Sequence, residues 1–404
     1  MTATHADLYM PPRLLAPGGT PADLPTHEQR YGPLPYGDPA ALLRAVTASG
    51  LTGRGGAAFP VHRKIAAVTE AARRTGRAPV VVANGAEGEP ASRKDRTLLA
   101  LSPHLVLDGI QVAAQTVGAE EAYLAVGEGA SYLEAALAHR ADPVAVTVVR
   151  LPRRFLSGQA SALARFVGGG AALPGHQSPP VREEGVHRAP TLVQNVETLA
   201  HLALVARYGA QWFRSAGTAA QPGSALCTVL VPGHRPRVIE APFGMPLHRL
   251  LPMDGASAVL LGGYHGTWIP AAQASGIPLD ASTMGAGVLA ALPAERCGLV
   301  ETARVLRYLA LQSAGQCGPC LNGLPRIAAA FQTLATPGPQ GTARTDVSRW
   351  SGLVEGRGAC HHPDGTARLV RSAMTTFAAE IDAHARGLCT RSDRTPLLPV
   401  PQEA

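Results

Sequence analysis

The chain has 404 residues, an apolar fraction of 46% and a net charge of +7, which together describe a globular protein with room for two or three domains. Its basic residues are scattered and lack aromatic neighbours, which disfavours nucleic-acid binding. No apolar run reaches the roughly 18 residues of a membrane-spanning helix, and the N-terminus lacks a basic-then-apolar signal pattern, so cytoplasmic residence is expected.

The first half of the chain predicts an α/β domain behind an N-terminal arm. Residues 1–39 are rich in Pro and Gly, which is typical of an extended segment. Residues 40–215 alternate helical patterns with apolar strand-like runs, namely Val80–Ala83, Ala122–Val126 and Val144–Leu151. This alternation predicts a sheet of parallel strands whose ligands bind at the carboxyl ends of the strands.

The second half predicts a β-rich module followed by helices. Residues 220–298 contain short strand-like runs separated by turns, which we interpret as a module for packing or docking. Residues 299–390 follow a helical pattern, interrupted by a Pro/Gly-rich linker at 336–345, and predict a small helical bundle. Residues 391–404 are rich in Pro and are expected to be irregular.

A glycine-rich stretch, G-R-G-G-A-A-F-P at residues 53–60, comes shortly before Lys64. Consecutive glycines let backbone N–H groups approach an anion, and a helix start just after them adds its positive end. The stretch is not a Walker A loop and follows no clear strand, so on its own it is also compatible with a flexible turn. Lys64 and Lys94 are the only lysines among 36 basic residues, which favours a chemical role, more strongly for Lys64.

A second stretch, N-G-A-E-G-E-P at residues 84–90, directly follows the first strand-like run. It places Asn and Glu side chains at the carboxyl edge of the predicted sheet, where ligands bind. Such groups can bind the edge of a flavin ring or the hydroxyls of a sugar chain. A solvated acidic turn is the alternative interpretation.

Two further stretches place helix starts near the same predicted edge. F-L-S-G-Q-A at residues 155–160 resembles a strand–Gly–helix junction, which offers a helix N-terminus to an anion or ring. Asn195 and Thr198 lie three residues apart at another helix start, a spacing suited to capping the helix or to holding a ligand phosphate. Capping is the alternative for both stretches.

The cysteines predict a metal or redox centre in the helical part. Six cysteines in 404 residues are too few for a disulfide scaffold. S-A-G-Q-C-G-P-C at residues 313–320 contains a C-x-x-C pair, Cys317 and Cys320, which needs further ligands to hold a metal ion or a cluster. No second metal motif is visible in the sequence.

In this order the five stretches resemble the flavoprotein (NADH-binding) subunit of respiratory complex I, a family shared with the diaphorase subunits of NAD-linked hydrogenases and formate dehydrogenases. The resemblance runs from about residue 45 to residue 375. It implies an FMN-binding Rossmann-like α/β domain, a ubiquitin-like module of the SLBB type, and a helical bundle that carries an iron–sulfur site. It also implies an NADH dehydrogenase-like activity, in which electrons pass from NADH through FMN to a 4Fe–4S cluster and on to a partner electron-acceptor protein linked to quinone or ferredoxin.

The resemblance also implies site residues, matched position by position. The implied cofactor-binding residues are Gly53, Arg54, Gly55, Gly56, Phe59, Lys64, Asn84, Glu87, Gly158, Asn195 and Thr198. Phe59, Lys64 and Glu89 would face the NADH. Glu87 and Glu89 are the candidate catalytic residues.

Two departures from the family pattern lie close to the implied flavin site. Ala86 replaces an Asp, while Gln159 and Ala160 replace an acidic pair that helps to position NADH in the family. The other implied FMN-binding residues match the family pattern. These departures favour an alternative function, an electron-transfer flavoprotein of the same fold that does not use NADH.

The iron–sulfur pattern departs as well. Cys317, Cys320 and Cys360 match the family ligands, but Ala314 stands where the first cysteine belongs. Three interpretations remain open at this point. The site could hold a 4Fe–4S cluster with a substitute ligand, a three-cysteine 3Fe–4S cluster, or a structural zinc ion in a non-catalytic module.

The fourth ligand of such a cluster has three nearby candidates. His361 and His362 directly follow the third cysteine and could act as the substitute ligand. Cys297 is a poor candidate, because the predicted helix of residues 301–312 would span about 18 Å between it and the cysteine pair. The remaining cysteines, Cys227 and Cys389, are expected to be a buried core thiol and a surface thiol.

Overall fold

The computed structural model describes residues 12–175, 179–391, 393 and 395–401. The first eleven residues of the predicted arm and the last three residues of the predicted tail lie outside this range. The described part of the arm is not wholly extended, because it forms helix α1 (Leu24–Tyr31). The Asp23 side chain caps this helix by accepting the N–H of Thr26 at 3.0 Å, a short-range signal that the Pro/Gly content of the arm concealed.

The α/β unit is built on four parallel strands in the order β3-β2-β1-β4. The strands are β1 (Val80–Gly85), β2 (Glu121–Val126), β3 (Val146–Arg150) and β4 (Thr191–Asn195). The helices are α2 (Pro39–Ser49), α3 (Val61–Thr75), α4 (Lys94–Leu101), α5 (Pro103–Val117), α6 (Tyr132–Ala138), α7 (Ala160–Val167) and α8 (Val196–Arg214). Strands β1 and β4 are buried along almost their whole length, as expected for parallel strands covered on both faces.

Helices α5 and α8 pack very closely in the core of this unit. A Cβ atom added to Gly109 of α5 would lie 2.0 Å from the backbone oxygen of Leu199 in α8, so only glycine allows this approach. No single helix in the described ranges is long and apolar enough to cross a membrane. Helices α4 and α5 meet that criterion only as a pair, by length and composition, and they are bent by 98° where they join.

The β-rich module is one mixed five-stranded sheet in the order β6-β5-β9-β7-β8. Its strands are β5 (Ser224–Leu230), β6 (Arg237–Pro242), β7 (Ala256–Leu261), β8 (Thr267–Pro270) and β9 (Val288–Pro293), and its short helices are α9 (Leu247–Leu250) and α10 (Ala271–Ala274). Alternate residues of the strands face opposite sides. One face closes a small core of the module, while the other shares a core with the helices that follow.

The C-terminal region is helical, as predicted. Its helices are α11 (Gly298–Leu311), α12 (Leu324–Ala335), α13 (Ala343–Val354), α14 (His362–Thr376) and α15 (Ala378–Ala385). The helix pattern of residues 369–387 is broken at Phe377, where α14 ends and α15 begins. A short π-helical turn, Pro319–Gly323, leads into α12 and contains Cys320. Such turns are frequent at functional sites, since they displace side chains from the regular helical positions.

Candidate functional site

The polar ends of β1 and β4 meet where the strand order of the α/β sheet reverses. The chain runs from β1 through β2 to β3 on one side and then returns to β4 on the other side of β1. Asn84 in β1 and Asn195 in β4 are register partners, and the Asn195 Nδ2 atom lies 3.4 Å from the backbone oxygen of Asn84. Open α/β sheets bind ligands at such a switch point. We call this the switch-point crevice.

The glycine-rich loop, residues 53–60, lies against the start of α8 at this crevice. The Arg54 N–H donates to Thr198 Oγ1 at 2.9 Å. A Cβ atom on Gly55 would lie 3.5 Å from the Asn195 Cβ atom, so the loop backbone sits directly beside the end of β4. Because Gly55 is exposed, the loop can present its backbone to a ligand in the crevice.

The Arg54 side chain points away from that surface. Its Nε donates to the Ser224 carbonyl at 3.0 Å, and its Nη1 donates to the Thr52 carbonyl at 2.8 Å. The guanidinium lies 4.6 Å from the centre of the Phe243 ring, and burial lowers the Arg54 pKa to about 10. The side chain therefore joins the loop to the β-rich module. The Nη2 atom is buried and has no hydrogen-bond partner among the described residues, and the predicted cofactor contact of Arg54 stays a prediction.

Lys64, in the first turn of α3, offers a positive charge without an acidic partner. Its Nζ donates to the Val193 carbonyl of β4 at 2.6 Å, and the described residues place no carboxylate in contact with it. Burial lowers the Lys64 pKa to about 8. A half-buried ammonium of this kind is stabilised by an anion, since an opposite charge offsets the cost of removing it from water.

The residues around the crevice fit FMN. The Phe59 ring is 50% exposed and free to stack on a planar group. The buried Gln194 Nε2 atom, in β4, has no hydrogen-bond partner among the described residues. Asn84 Nδ2 donates to the Gly158 carbonyl at 2.8 Å. Gly158 leaves little room for a side chain, because a Cβ atom added to it would lie 3.1 Å from the Ala86 carbonyl oxygen. An anionic, planar cofactor suits these groups together with the Lys64 ammonium.

A buried charge network lies behind the crevice, and most of it was missed by sequence reasoning. Lys94 Nζ lies 2.7 Å from Asp95 Oδ1 and 2.9 Å from Glu197 Oε2. Asn195 Nδ2 donates to Asp95 Oδ2 at 2.8 Å, and its Oδ1 accepts the Glu197 N–H at 3.0 Å, which caps α8. Burial opposes the charge of Lys94, but the two carboxylates outweigh it and hold the Lys94 pKa above its ordinary value. The network fixes Asn195 at the crevice.

Glu87, a candidate catalytic residue, has both carboxylate oxygens engaged. Oε1 accepts from Ser92 Oγ at 2.7 Å and from the Asp95 N–H at 3.0 Å, which places a carboxylate at the start of α4. Oε2 accepts from Arg96 Nε at 2.6 Å. Through these contacts Glu87 stabilises the start of α4. Its predicted catalytic and cofactor-binding roles stay predictions.

Glu89, the other candidate catalytic residue, is buried between the α/β unit and the β-rich module. Its Oε2 accepts the Tyr264 N–H at 2.9 Å, and its Oε1 accepts the Ala91 N–H at 3.2 Å. Burial raises the Glu89 pKa to about 7, although both backbone hydrogen bonds act in the opposite direction. The predicted contact of Glu89 with NADH stays a prediction.

The Gln159 side chain caps helix α7. Its Oε1 accepts the N–H groups of Ser161 and Ala162 at 2.8 and 3.1 Å. Residues 155–158 form a turn, so the strand expected just before Gly158 is absent, and β3 has already ended at Arg150. The residue that replaces a family glutamate thus keeps a helix-capping acceptor but carries no charge.

An aromatic group joins this turn to the helical region. The ring of Phe155 lies 4.8 Å from that of His265 and 5.5 Å from that of His362, centre to centre. The Phe155 N–H donates to Gln312 Oε1 at 3.1 Å. The crevice side of the α/β unit is therefore packed directly against the part of the helical region that carries the cysteines.

The structure brings Cys317, Cys320 and Cys360 to one site. Burial raises the Cys320 pKa to about 12, and the neighbouring thiols of Cys317 and Cys360 add to this effect. The backbone N–H of Ala314 donates to the Cys320 thiol, so the residue that replaces the expected cysteine does lie at this site. The three thiols fit an iron–sulfur cluster, because such clusters are held by thiolates.

The ligand spacing at this site favours a cluster over a single zinc ion. A tetrahedral zinc ion brings its ligand atoms within about 4 Å of one another, since each Zn–S distance is about 2.3 Å. The iron–sulfur cysteines do not form such a group, and the described residues contain one set of three potential ligands whose atoms all lie within 4.8 Å of one another. That set lies at the opposite end of α11.

His361 and His362, the two histidines considered as substitute ligands, differ in whether a ring nitrogen is free to bind iron. His362 Nε2 donates to the Leu309 carbonyl at 2.9 Å, and its Nδ1 lies 3.0 Å from His265 Nε2, so neither ring nitrogen is free for iron. The His361 side chain is 99% exposed and lies 3.5 Å from Asp364 Oδ2. Of the two, His361 alone remains available as a fourth ligand.

The chain matches two family models and several known proteins. The Nuo51 FMN-binding domain matches residues 46–204, and the NADH-ubiquinone oxidoreductase-F iron-sulfur binding region matches residues 301–384. An NADH-quinone oxidoreductase subunit of Rhizobium meliloti is 28% identical, with 86% of this chain and 89% of that protein aligned. The corresponding NADH-quinone oxidoreductase subunit of Streptomyces coelicolor is 26% identical over 86% of this chain and 84% of its own length.

A solved structure shares the fold. The crystal structure of an NAD+-reducing [NiFe]-hydrogenase in the H2-reduced state superposes with a TM-score of 0.79 and 28% identity, over 86% of this chain. This chain spans 63% of the hydrogenase chain, which is less than two thirds of it. The fold, the two family models and their cofactors agree with the predictions from sequence. The chain belongs to the family of FMN-binding, iron–sulfur flavoprotein subunits of complex I-type NADH dehydrogenases and NAD-linked hydrogenases.

Proposed function

We propose that this chain is an FMN- and iron–sulfur-dependent oxidoreductase subunit that passes electrons from NADH to a partner protein. The observation that carries this proposal is the arrangement at the switch-point crevice. There the Lys64 ammonium has no acidic partner among the described residues, the glycine-rich loop presents its backbone, and the Phe59 ring is exposed. The three-cysteine site lies beyond the adjoining aromatic group. One chain thus supplies groups for both cofactors.

The residues at the crevice would hold FMN in the following way. The Lys64 ammonium and the backbone N–H groups of Gly55 and Gly56 would bind the phosphate. Asn84 and Asn195, fixed by their hydrogen bonds, would border the ring system and its sugar chain. When bound, FMN supplies the conversion of a two-electron donor into single electrons. Phe59 would stack on the nicotinamide nucleotide, and the loop around it would exclude water.

The helical region would hold the iron–sulfur cluster. Cys317, Cys320 and Cys360 are its protein ligands in this proposal. The Ala314 N–H, which donates to the Cys320 thiol, would stabilise negative charge on a sulfur ligand. His361 or an exogenous group would complete the fourth position.

A partner protein is proposed to take electrons from this site. Two large apolar side chains beside the cysteines are exposed, Leu311 at 53% and Leu321 at 61%. Leu321 directly follows Cys320, so a partner that covers it would bring its own acceptor close to the cluster. The relatives are named as subunits of NADH-quinone oxidoreductases, and a further iron–sulfur protein is the partner we propose.

A second candidate function is supported by Gln159. All contacts of its Oε1 atom are to the start of α7, and neither Gln159 nor Ala160 provides the negative charge that the family places there. An electron-transfer flavoprotein that receives electrons from another protein, rather than from NADH, would keep every other feature of the crevice.

One experiment separates these functions. The full chain is purified anaerobically, and its absorbance spectrum is recorded before and after NADH is added. Bleaching of a flavin band by NADH supports the proposed function. A flavin band that NADH leaves unchanged, but dithionite bleaches, supports the second candidate. A protein that binds neither flavin nor iron would contradict both.

A matched pair of variants tests whether the flavin binds at the switch-point crevice. Lys64→Gln should lower the flavin content of the purified protein, while Lys64→Arg, which keeps the charge, should preserve most of it. Equal flavin content in the wild-type protein and the Lys64→Gln variant would contradict the assignment of Lys64 to the phosphate.

A further inference from the structure

The structure assembles a second group of metal-binding side chains, which the sequence did not reveal. Cys297 precedes α11, His384 lies in α15, and Cys389 lies in the segment that follows α15. One ligand atom from each of the three residues lies within 4.8 Å of the other two. Cys297 and His384 are buried, and Cys389 is half-buried.

His384 is oriented as a metal ligand. Its Nδ1 lies 3.0 Å from the Leu334 carbonyl, and since a carbonyl only accepts, Nδ1 carries the proton. The Nε2 lone pair is therefore free, and it lies 3.6 Å from the Cys297 Sγ atom. Metal-binding histidines are typically fixed in this way, through a hydrogen bond from the second ring nitrogen to a carbonyl or carboxylate.

Cys297 is placed to act as a thiolate. It is the N-cap residue of the fourteen-residue helix α11, so its side chain stands at the helix end where the first backbone N–H groups have no partner within the helix. The positive end of a helix stabilises a negative sulfur, although burial opposes that charge when no metal ion is bound. Glu380 Oε2 lies 3.6 Å from the same sulfur and accepts the Gly298 N–H at 3.1 Å.

This group is separate from the iron–sulfur cysteines. Helix α11 has fourteen residues, which span about 21 Å at 1.5 Å per residue, and the two groups lie beyond its opposite ends. A single cluster cannot bridge that distance. The two groups are therefore independent sites.

We propose that Cys297, His384 and Cys389 bind one zinc ion, with the fourth position filled by Glu380 or by water. Two thiolates and one imidazole form a donor set typical of tetrahedral zinc, and thiolates disfavour magnesium or calcium. The two thiols are not joined in a disulfide in this structure. This inference does not depend on the proposed electron-transfer function.

The zinc ion would clamp the C-terminal segment to the junction of the β-rich module and the helical region. Weaker contacts already mark the same path: Arg296 Nε lies 2.7 Å from Asp393 Oδ2, and Tyr264 Oη donates to the Pro399 carbonyl at 2.7 Å. Tyr264 also donates its backbone N–H to Glu89. The role of the ion is therefore structural. The contacts that it would reinforce run from α15 toward the side of the β-rich module that faces the α/β unit.

Metal analysis of the full chain tests the proposal. The protein is purified anaerobically without chelators from zinc-supplemented cells, and zinc and iron are measured by mass spectrometry. We expect about one tightly bound zinc ion per chain. Cys389→Ser should lose the zinc and keep the iron, whereas Cys317→Ser should lose the iron and keep the zinc.

X-ray absorption at the zinc edge gives a second readout on the wild-type protein. Two sulfur ligands at about 2.3 Å and one or two nitrogen or oxygen ligands at about 2.0–2.1 Å are expected. Glu380→Gln then separates the two choices for the fourth ligand, because loss of one oxygen ligand identifies Glu380 and an unchanged spectrum identifies water.

Four results would overturn the proposal. They are a wild-type protein without zinc, zinc that survives Cys389→Ser, a zinc spectrum with three or more sulfur ligands, and a Cys297–Cys389 disulfide in the anaerobically purified chain. Zinc that is lost from Cys317→Ser but not from Cys389→Ser would place the ion among the iron–sulfur cysteines instead.

Discussion

The switch-point crevice and the cysteine sites use different parts of the chain to bind their ligands. At the crevice most polar side chains are already paired with one another, as in the contacts of Lys94 with Asp95 and Glu197, and a ligand meets mainly backbone plus the Lys64 ammonium. At the cysteine sites the ligand atoms are side chains with few other partners. A single substitution should therefore abolish metal binding but only weaken flavin binding.

The largest expected effect is the loss of the cluster in Cys320→Ser. Cys320 is buried in the π-helical turn between α11 and α12, and no other thiol can replace it there. Iron content and the electron spin resonance signal should fall to background, while bound zinc is retained. Cys227→Ala, which removes a buried thiol of β5 in a different core cluster from Cys320 and Cys297, is the matched control and should leave both metals unchanged.

Ala314→Cys should change the type of cluster rather than remove it. The Ala314 N–H already reaches the Cys320 thiol, so a new thiolate at this position can complete a four-cysteine set. We expect the spin resonance spectrum to shift toward a four-iron species and the cluster to resist chelators for longer. Ala314→Ser serves as the control for the added side chain. Identical spectra for all three proteins would show that position 314 is not a ligand position.

At the crevice, Lys64→Gln should weaken FMN binding without abolishing it. Loss of a hydrogen bond between charged groups costs about 2 kcal/mol, which corresponds to a roughly 30-fold rise in the dissociation constant. Titration of the apoprotein with FMN measures this change. Complete loss of binding would contradict the view that the backbone of the glycine-rich loop provides much of the affinity.

The pH dependence of FMN binding should also report on Lys64. Burial lowers its pKa to about 8 in the free protein, and a bound phosphate raises it. Below pH 8 the ammonium is charged before and after binding, so affinity is constant. Above pH 8 binding requires proton uptake, and affinity should fall by up to about tenfold per pH unit until the pKa of the complex is reached. In Lys64→Gln this fall should disappear.

The smallest expected effect is that of Gln159→Ala on stability. Loss of the side chain that caps α7 should lower the free energy of unfolding by about 1 kcal/mol, measured from urea denaturation. Gln159→Glu keeps the acceptor and should retain this stability. Gln159→Glu combined with Ala160→Glu also restores the negative charge of the family pattern, and faster reduction of the flavin by NADH in that variant would link NADH use to these two positions.

Sequence reasoning succeeded where neighbouring residues carry the signal. Three of the four parallel strands, the helical C-terminal region and the C-x-x-C pair are local patterns, and the order of the motifs identified the family, whereas strand β4 was not predicted. Reasoning from sequence missed the capped helix in the N-terminal arm and the turn at residues 155–158. It could not show that the Arg54 side chain and the Glu89 carboxylate are buried and hydrogen-bonded to backbone groups.

The sequence by itself determined the class of fold, the approximate place of the two cofactors and the absence of a fourth cysteine at position 314. Only the tertiary structure decided which polar groups remain free to bind a ligand. It brought Cys297 within reach of His384 and Cys389, about 90 residues further along the chain, and it paired Lys94 with Glu197. Such pairs depend on how helices and strands pack, and packing joins residues that share no spacing in the sequence.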